Sequence, residues 1–216
     1  MENSKILLKH AIKALSETTI KPNQWSIGGG TVLATYYNHR LSKDIDVFIS
    51  DTQFLSELSP RFNEECYTAL DYNEMANYIS LSYIEGKVDF IVAGQLTKFP
   101  PSLQNFFGEL VMLDDPVEIV AKKLYFRNDY ILPRDIFDLA VVYSSERQKD
   151  LVDFALSIPD KMKTFIKNFE KNKEVLAERE YSILYWDAVL DGGKQFVGKE
   201  FEICQEFINV IKERIK

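Results

Sequence analysis

IGGGTVLATYYNHRLSKDIDVFIS, residues 27–50, holds three consecutive glycines, and fourteen and sixteen positions after the last of them stand two aspartates, Asp44 and Asp46. A third, Asp89, lies in KVDFIVA, residues 87–93. Both runs read as strands. Side chains on a strand alternate faces, so Asp44, Asp46 and Phe48 share one face, while the β-branched Ile45, Val47 and Ile49 share the other. In the second run Val88, Phe90 and Val92 form one face and Asp89 and Ile91 the opposite one. If the two strands pair, Asp89 stands beside Asp44 and Asp46. Bare anions this close raise one another's pKa, a conflict that a magnesium pair removes. Two such ions, roughly 3.5–4 Å apart, can stabilise the attacking and leaving oxygens of an in-line displacement.

The glycines form the other half of the pattern. Trp25-Ser26-Ile27 reads as a short strand and Thr31–Tyr37 as a helix, with Gly28, Gly29 and Gly30 at the junction. Glycine tolerates the backbone of a tight turn and lets the main chain approach a ligand closely. The free N–H groups of the following helix start then face an anion such as a phosphate. Thr31 adds a hydroxyl donor or caps the helix. Arg40 and Lys43 flank the aspartates and are candidates for triphosphate contact. His39 is either a general base or a structural hydrogen-bonding residue.

The order of strand, glycine turn, short helix, Asp-x-Asp and later Asp resembles the nucleotidyltransferase superfamily related to polymerase β. More narrowly, Gly29-Gly30-Thr31 followed by His39-Arg40-Leu41-Ser42-Lys43-Asp44-Ile45-Asp46-Val47-Phe48 resembles the AbiEii/AbiGii toxin family. A second block, DDPVEIVAKKLYFRNDYILPRDIFDLAVVY (residues 114–143), resembles that family's downstream segment through Lys123-Leu124 and Arg134-Asp135-Ile136-Phe137-Asp138. The two blocks and the strands between them cover about residues 20–145. The resemblance implies an α+β nucleotidyltransferase fold, a small mixed sheet flanked by helices, with a helical region after it. It implies catalytic Asp44, Asp46, Asp89, Lys123 and Asp138, with the three strand aspartates holding Mg2+ or Mn2+. Gly28, Gly29, Gly30, Thr31, Arg40, Lys43 and Arg134 would bind the nucleoside triphosphate. Lys123 would contact its phosphates, partnered by Asp135 or Asp138. The implied role is the toxin of a toxin–antitoxin or phage-defence pair, acting on RNA such as tRNA and held by an antitoxin protein.

The remaining sequence sets bounds. The chain has 216 residues, is 46% hydrophobic, and carries a formal charge of −7, which disfavours a polyanion partner in general while leaving room for a local basic face. Two cysteines far apart argue against a disulfide framework and for a reducing, cytoplasmic setting. No apolar run is long enough for a membrane span. The expected domains are 1–113, the nucleotidyltransferase module, and 114–216, the helical domain. Within them the reading places an amphipathic helix at about 3–17, a helix from Asp51-Thr52 to about Glu65, strands near 67–71, 77–85 and 109–113, and a loop at 99–102. Helices follow at about 116–127, 134–146, 148–157, 160–179, 181–191 and 198–215, with Asp191-Gly192-Gly193 the clearest late break. Val117, Ile119, Val120 and Leu124 mark one buried side, and Met162, Phe165, Ile166 and Phe169 another. Lys163, Lys167 and Lys171 recur on a further face, where an RNA acceptor would sit. Two readings stay open beside RNA modification: a small-molecule nucleotidyltransferase of the aminoglycoside-modifying kind, and a non-catalytic module that binds a nucleotide or a partner protein.

Overall fold

The structure, a computed structural model, describes residues 2–186 and 188–215. The chain divides into two compact units, one of Met1–Val32 with Ser42–Asp115 and the other of Leu33–Leu41 with Pro116–Lys216.

The first unit is built on a mixed sheet of seven strands: β1 (Trp25–Gly28), β2 (Ile45–Ile49), β3 (Asp71–Met75), β4 (Tyr78–Tyr83), β5 (Gly86–Val92), β6 (Ser102–Phe106) and β7 (Glu109–Leu113). Their order in the sheet is β3-β4-β5-β2-β1-β7-β6. β2 runs parallel to β5 and β1 parallel to β7, and the remaining pairs are antiparallel. Helix α1 (Glu2–Ser16) packs on β2 and β5, burying Leu7, Leu8, Ala11, Ala14 and Leu15. It meets the face carrying Ile45, Val47, Ile49, Val88 and Phe90, all wholly buried. The alternation in the two aspartate strands therefore sets the faces as the sequence predicts, and Asp46 and Asp89 lie on the side away from that core.

Helix α2 (Gly29–Tyr37) starts directly at the end of β1. The single helix expected over 51–65 is instead a 3-10 segment, Thr52–Leu58, and a four-residue α3 (Glu64–Tyr67). Asp51 does cap its start, accepting from the Gln53 amide at 2.9 Å. The interruption lies at Ser59, extended at ψ 135°, which precedes Pro60. A proline disfavours helical backbone in the residue before it and supplies no N–H. The strand expected at 67–71 begins at Asp71, and Ala76-Asn77 joins it to β4. β6 was not foreseen. It returns into β7 through Phe107 (φ 52°) and Gly108 (φ 98°), the positive-φ pair of a tight hairpin.

The second unit is helical: α4 (Pro116–Phe126), α5 (Pro133–Tyr143), α6 (Gln148–Ser157), α7 (Pro159–Trp186) and α8 (Glu200–Arg214). The residues expected on the buried sides of α4 and α7 are buried. α7 runs unbroken where two helices were expected, since no glycine or proline interrupts its sequence. The second of those expected helices, 181–191, stops at Trp186; Asp187 is outside the described residues, and Val189 forms an isolated bridge with Arg40. No described helix is long and apolar enough to cross a membrane.

Candidate active site

In the first unit the strand register brings two of the three aspartates together. Gly28 is paired with Asp46 across β1 and β2, and Asp46 with Asp89 across β2 and β5. The Asp46 carboxylate lies on the main chain of Gly29. A Cβ built on Gly29 would stand 1.7 Å from Asp46 Oδ2, and Gly29 has a φ of +70°. Glycine is required here twice over, by the backbone conformation and by the acid that occupies the side-chain position. Gly28 is equally confined, its Cβ position lying 2.6 Å from the Phe48 ring and 2.7 Å from Asp114 Oδ2. Gly28, Gly29 and Gly30 are all buried.

Asp44 and Thr31 secure the same corner. The Thr31 hydroxyl donates to the Asp44 carbonyl at 2.5 Å, tying the first turn of α2 to the entry of β2. Asp44 Oδ1 accepts the Lys87 amide at 3.0 Å, which fixes the start of β2 against the start of β5. Asp89 Oδ1 accepts from the Ser80 hydroxyl. Lys43 is exposed. Asp114, which sequence reasoning missed, also borders this corner. It is wholly buried at the end of β7, accepts from the Ser26 hydroxyl at 2.6 Å, and lies against Gly28. Its only signal in the sequence is an acid before Asp115-Pro116, which reads as a helix-leading turn.

The family resemblance implies a divalent cation. Among the described residues no group of three or more His, Cys, Asp or Glu is placed to hold a metal. Asp46 and Asp89 nevertheless stand in register on adjacent parallel strands, both partly exposed. Magnesium commonly takes one or two carboxylates and completes its shell with water and substrate phosphates. The donor set therefore fits a Mg2+ or Mn2+ ion shared with a nucleotide better than an all-protein cage.

The second unit gathers His39, Arg40, Lys123, Asp135 and Asp138 into a buried ionic cluster. Arg40 Nε and Nη2 donate to Asp138 Oδ1 and Oδ2 at 2.7 and 2.8 Å, and His39 Nε2 lies 2.8 Å from Oδ1. Lys123 Nζ is 3.0 Å from Asp138 Oδ2 and also pairs with Asp135. Arg127 donates to Asp135 at 3.1 Å, and Asp135 accepts the Leu132 amide at 3.2 Å, capping α5. Lys123 thus partners both Asp135 and Asp138. Burial pushes the Asp138 pKa up, but Arg40, Lys123 and the His39 hydrogen bond outweigh it and hold the carboxyl well below the usual range. Asp135 is lowered against the same desolvation by Lys123 and Arg127. His39 Nδ1 is buried without a hydrogen-bond partner among the described residues. Arg134 is half-buried in the first turn of α5.

The loop that carries His39 and Arg40 is held from a second direction. The Leu190 amide donates to the His39 carbonyl at 2.9 Å, the Gly192 amide to Asn38 at 2.9 Å, and the Leu41 amide to Ala188 at 3.0 Å. Cβ atoms on Gly192 and Gly193 would lie 2.0 Å from the Tyr37 carbonyl and 2.1 Å from the His39 carbonyl. The late glycine pair, which the sequence shows only as a break, is a close main-chain clasp. Farther along this unit, Lys163 and Lys167 of the lysine face line a groove of about 330 Å3 with Lys212, its ion-pair partner Glu170, and the apolar Ile166 and Ile215.

The model of the family described as nucleotidyl transferase AbiEii toxin, type IV toxin–antitoxin system, matches residues 13–191. The chain belongs to this family. No curated protein matches it. Among solved structures, the MenT4 nucleotidyltransferase toxin from Mycobacterium tuberculosis H37Rv is similar at 18% identity and a TM-score of 0.49, over 72% of this chain and 63% of that one. The AbiEii-family chain therefore spans under two thirds of MenT4. JHP933 from Helicobacter pylori is similar at 13% identity and a TM-score of 0.47, over 98% of this chain and 93% of its own. The antibiotic-resistance factor ANT(2'')-Ia is similar at 14% identity and a TM-score of 0.40, over 81% and 97% respectively.

Proposed function

We propose that this AbiEii-family chain transfers a nucleoside monophosphate from a nucleoside triphosphate to an acceptor hydroxyl. The observation that carries the reading is the register pair Asp46–Asp89, set against the Gly29 main chain at the start of α2. Asp46 and Asp89 would hold Mg2+ or Mn2+, and Asp44 would offer its second oxygen. Bound there, the cation would neutralise phosphate charge and act as a Lewis acid. The acceptor oxygen bonds to the α-phosphorus, the bond from that phosphorus to the pyrophosphate oxygen breaks, and the acceptor proton passes to Asp89 and then to water. The first turn of α2 and the exposed Lys43 would favour the triphosphate.

Arg40, Lys123, Arg134 and Asp138 enter as residues of the second unit. Lys123 is held by Asp135 and Asp138, and the third donor of its ammonium would be the one offered to a phosphate. Arg40 and Asp138 instead fix the loop four residues ahead of Asp44. The biological reading is a toxin that modifies RNA such as tRNA, restrained by an antitoxin protein. The lysine-lined groove of α7 and α8 supports RNA as the acceptor, because phosphate neutralisation dominates such binding.

The test is incubation with labelled nucleoside triphosphates, magnesium and total RNA. Wild type should label an acceptor and lose all transfer on chelation. Asp46→Asn and Asp89→Asn, nearly isosteric, should stay folded and lose at least about a hundredfold in rate, the upper end for losing even an indirect metal partner. Undiminished transfer in either variant overturns the assignment. Nucleotide binding without transfer to any acceptor favours a non-catalytic module.

A further inference from the structure

The sheet face that bears Asp46 and Asp89 continues across β4 and β3 as two polar rows. In one, Asp46, Asp89, Ser80 and Asn73 are register partners across four adjacent strands. In the next, Lys87, Ser82 and Asp71 are partners across three. The alternate residues Ile79, Leu81, Val88 and Phe90 are wholly buried on the opposite face. Over the polar rows lies a groove of about 330 Å3, lined by Asp71, Tyr72, Asn73, Ser80, Ser82, Lys87 and Asp89. Tyr78 borders it with its hydroxyl held by Asn73 Nδ2 at 2.8 Å.

We propose that this groove is the acceptor subsite, and that it takes a sugar ring with vicinal hydroxyls rather than a phosphate. The inference rests on the transfer reading of the Asp46–Asp89 pair. Asp89 belongs to both features, so a ring seated over Ser80 and Ser82 presents a hydroxyl beside the proposed reacting centre. The volume sits at the low end of small-ligand sites, roughly 300–1,000 Å3, and suits a single ring. The lining is an assembly of carboxylates, hydroxyls, an amide and one ammonium, with two tyrosines and no aliphatic side chain. Hydroxyl groups both donate and accept, and such a lining matches them. With Asp89 engaged by the proposed cation, Asp71 offsets Lys87 in the outer row, which then carries no net charge to attract a phosphate and tolerates a neutral or cationic sugar. The same chemistry is supplied by the terminal ribose of an RNA and by a free amino sugar.

Binding to the full chain tests this with three probes, measured by ligand-observed NMR in the presence of magnesium: a trinucleotide with a free terminal ribose, the same trinucleotide closed by a 3′-phosphate, and kanamycin. The free-ended trinucleotide or kanamycin should bind wild type, and the one that binds identifies the source. The 3′-phosphate form should bind at least tenfold more weakly than its free counterpart. Asn73→Leu and Ser82→Leu should each weaken the binding probe at least tenfold, and Ser82→Thr should restore it. Affinity for a fluorescent triphosphate analogue should not change in any of them. Failure of both the free-ended trinucleotide and kanamycin to bind, or equal affinity in wild type and the leucine variants, overturns the subsite. Loss of transfer reading is separable: it shows as unchanged transfer in Asp46→Asn, whatever the groove binds.

Discussion

Gly29 and Asp46 share one place in the structure: the carboxylate occupies the volume a side chain at 29 would need, 1.7 Å from the Cβ position. Gly29→Ala must therefore displace the acid as well as strain a φ of +70°. The strain alone costs about 1–3 kcal/mol. Displacing the proposed metal-binding acid by about an ångström would cost about a hundredfold in rate. The expected outcome is a stable but slow protein, read by thermal unfolding and labelled-nucleotide transfer. Gly108→Ala is the control. Gly108 also has a positive φ, at 98°, but a Cβ there meets nothing within 4 Å, so it should lower stability and leave transfer intact.

Asp138 should make stability depend on acid pH. Its folded pKa lies well below the ordinary value. A group depressed on folding contributes fully above its unfolded pKa, about 3.9 for Asp, and loses that contribution as pH falls through the folded value. Asp138→Asn removes the counter-ion of Arg40 and Lys123 and should cost about 3–5 kcal/mol at neutral pH. The gap between variant and wild type should close progressively below about pH 4. Urea unfolding at a series of pH values measures both. A gap independent of pH would contradict the depressed pKa.

Gly193→Ala should loosen the His39–Arg40 loop without touching its charges. The new methyl would lie 2.1 Å from the His39 carbonyl. Forcing main chains apart at such a contact costs about 1–3 kcal/mol. Amide exchange should quicken at Leu41, Leu190 and Gly192, whose N–H groups donate across this contact. Unchanged exchange at all three would mean that the loop does not depend on the clasp.

Short-range patterns carried most of what the sequence revealed. Period-2 alternation put Asp46 and Asp89 on one face, and helical spacing marked Val117, Val120 and Leu124 as buried, because both depend only on local geometry. Pro60 was also readable, yet the Asp51 cap outweighed it in suggesting a longer helix. β6 escaped because its turn is formed by Phe107, a residue that rarely takes positive φ. Asp114 and Gly192–Gly193 escaped for another reason. Their partners, Ser26 and the carbonyls of Tyr37 and His39, are far away in sequence, and nothing in the local composition announces such contacts. Likewise the sequence leaves Lys123 a choice of acid, whereas the packing of α4 on α5 gives it both.

The path of the chain has a consequence for dissection. Residues 33–41 leave the sheet-bearing unit and return to it before the aspartate strand begins. A fragment ending at Asp115 would keep His39 and Arg40 but surrender Asp138, stranding an imidazole and a guanidinium that the intact protein buries against a carboxylate. No single scission separates the two units, because 33–41 belong with the helices. Expressing the sheet alone would demand either a shortened linker in place of 33–41 or the missing helices supplied as a separate polypeptide, so that the imidazole and guanidinium regain their carboxylate.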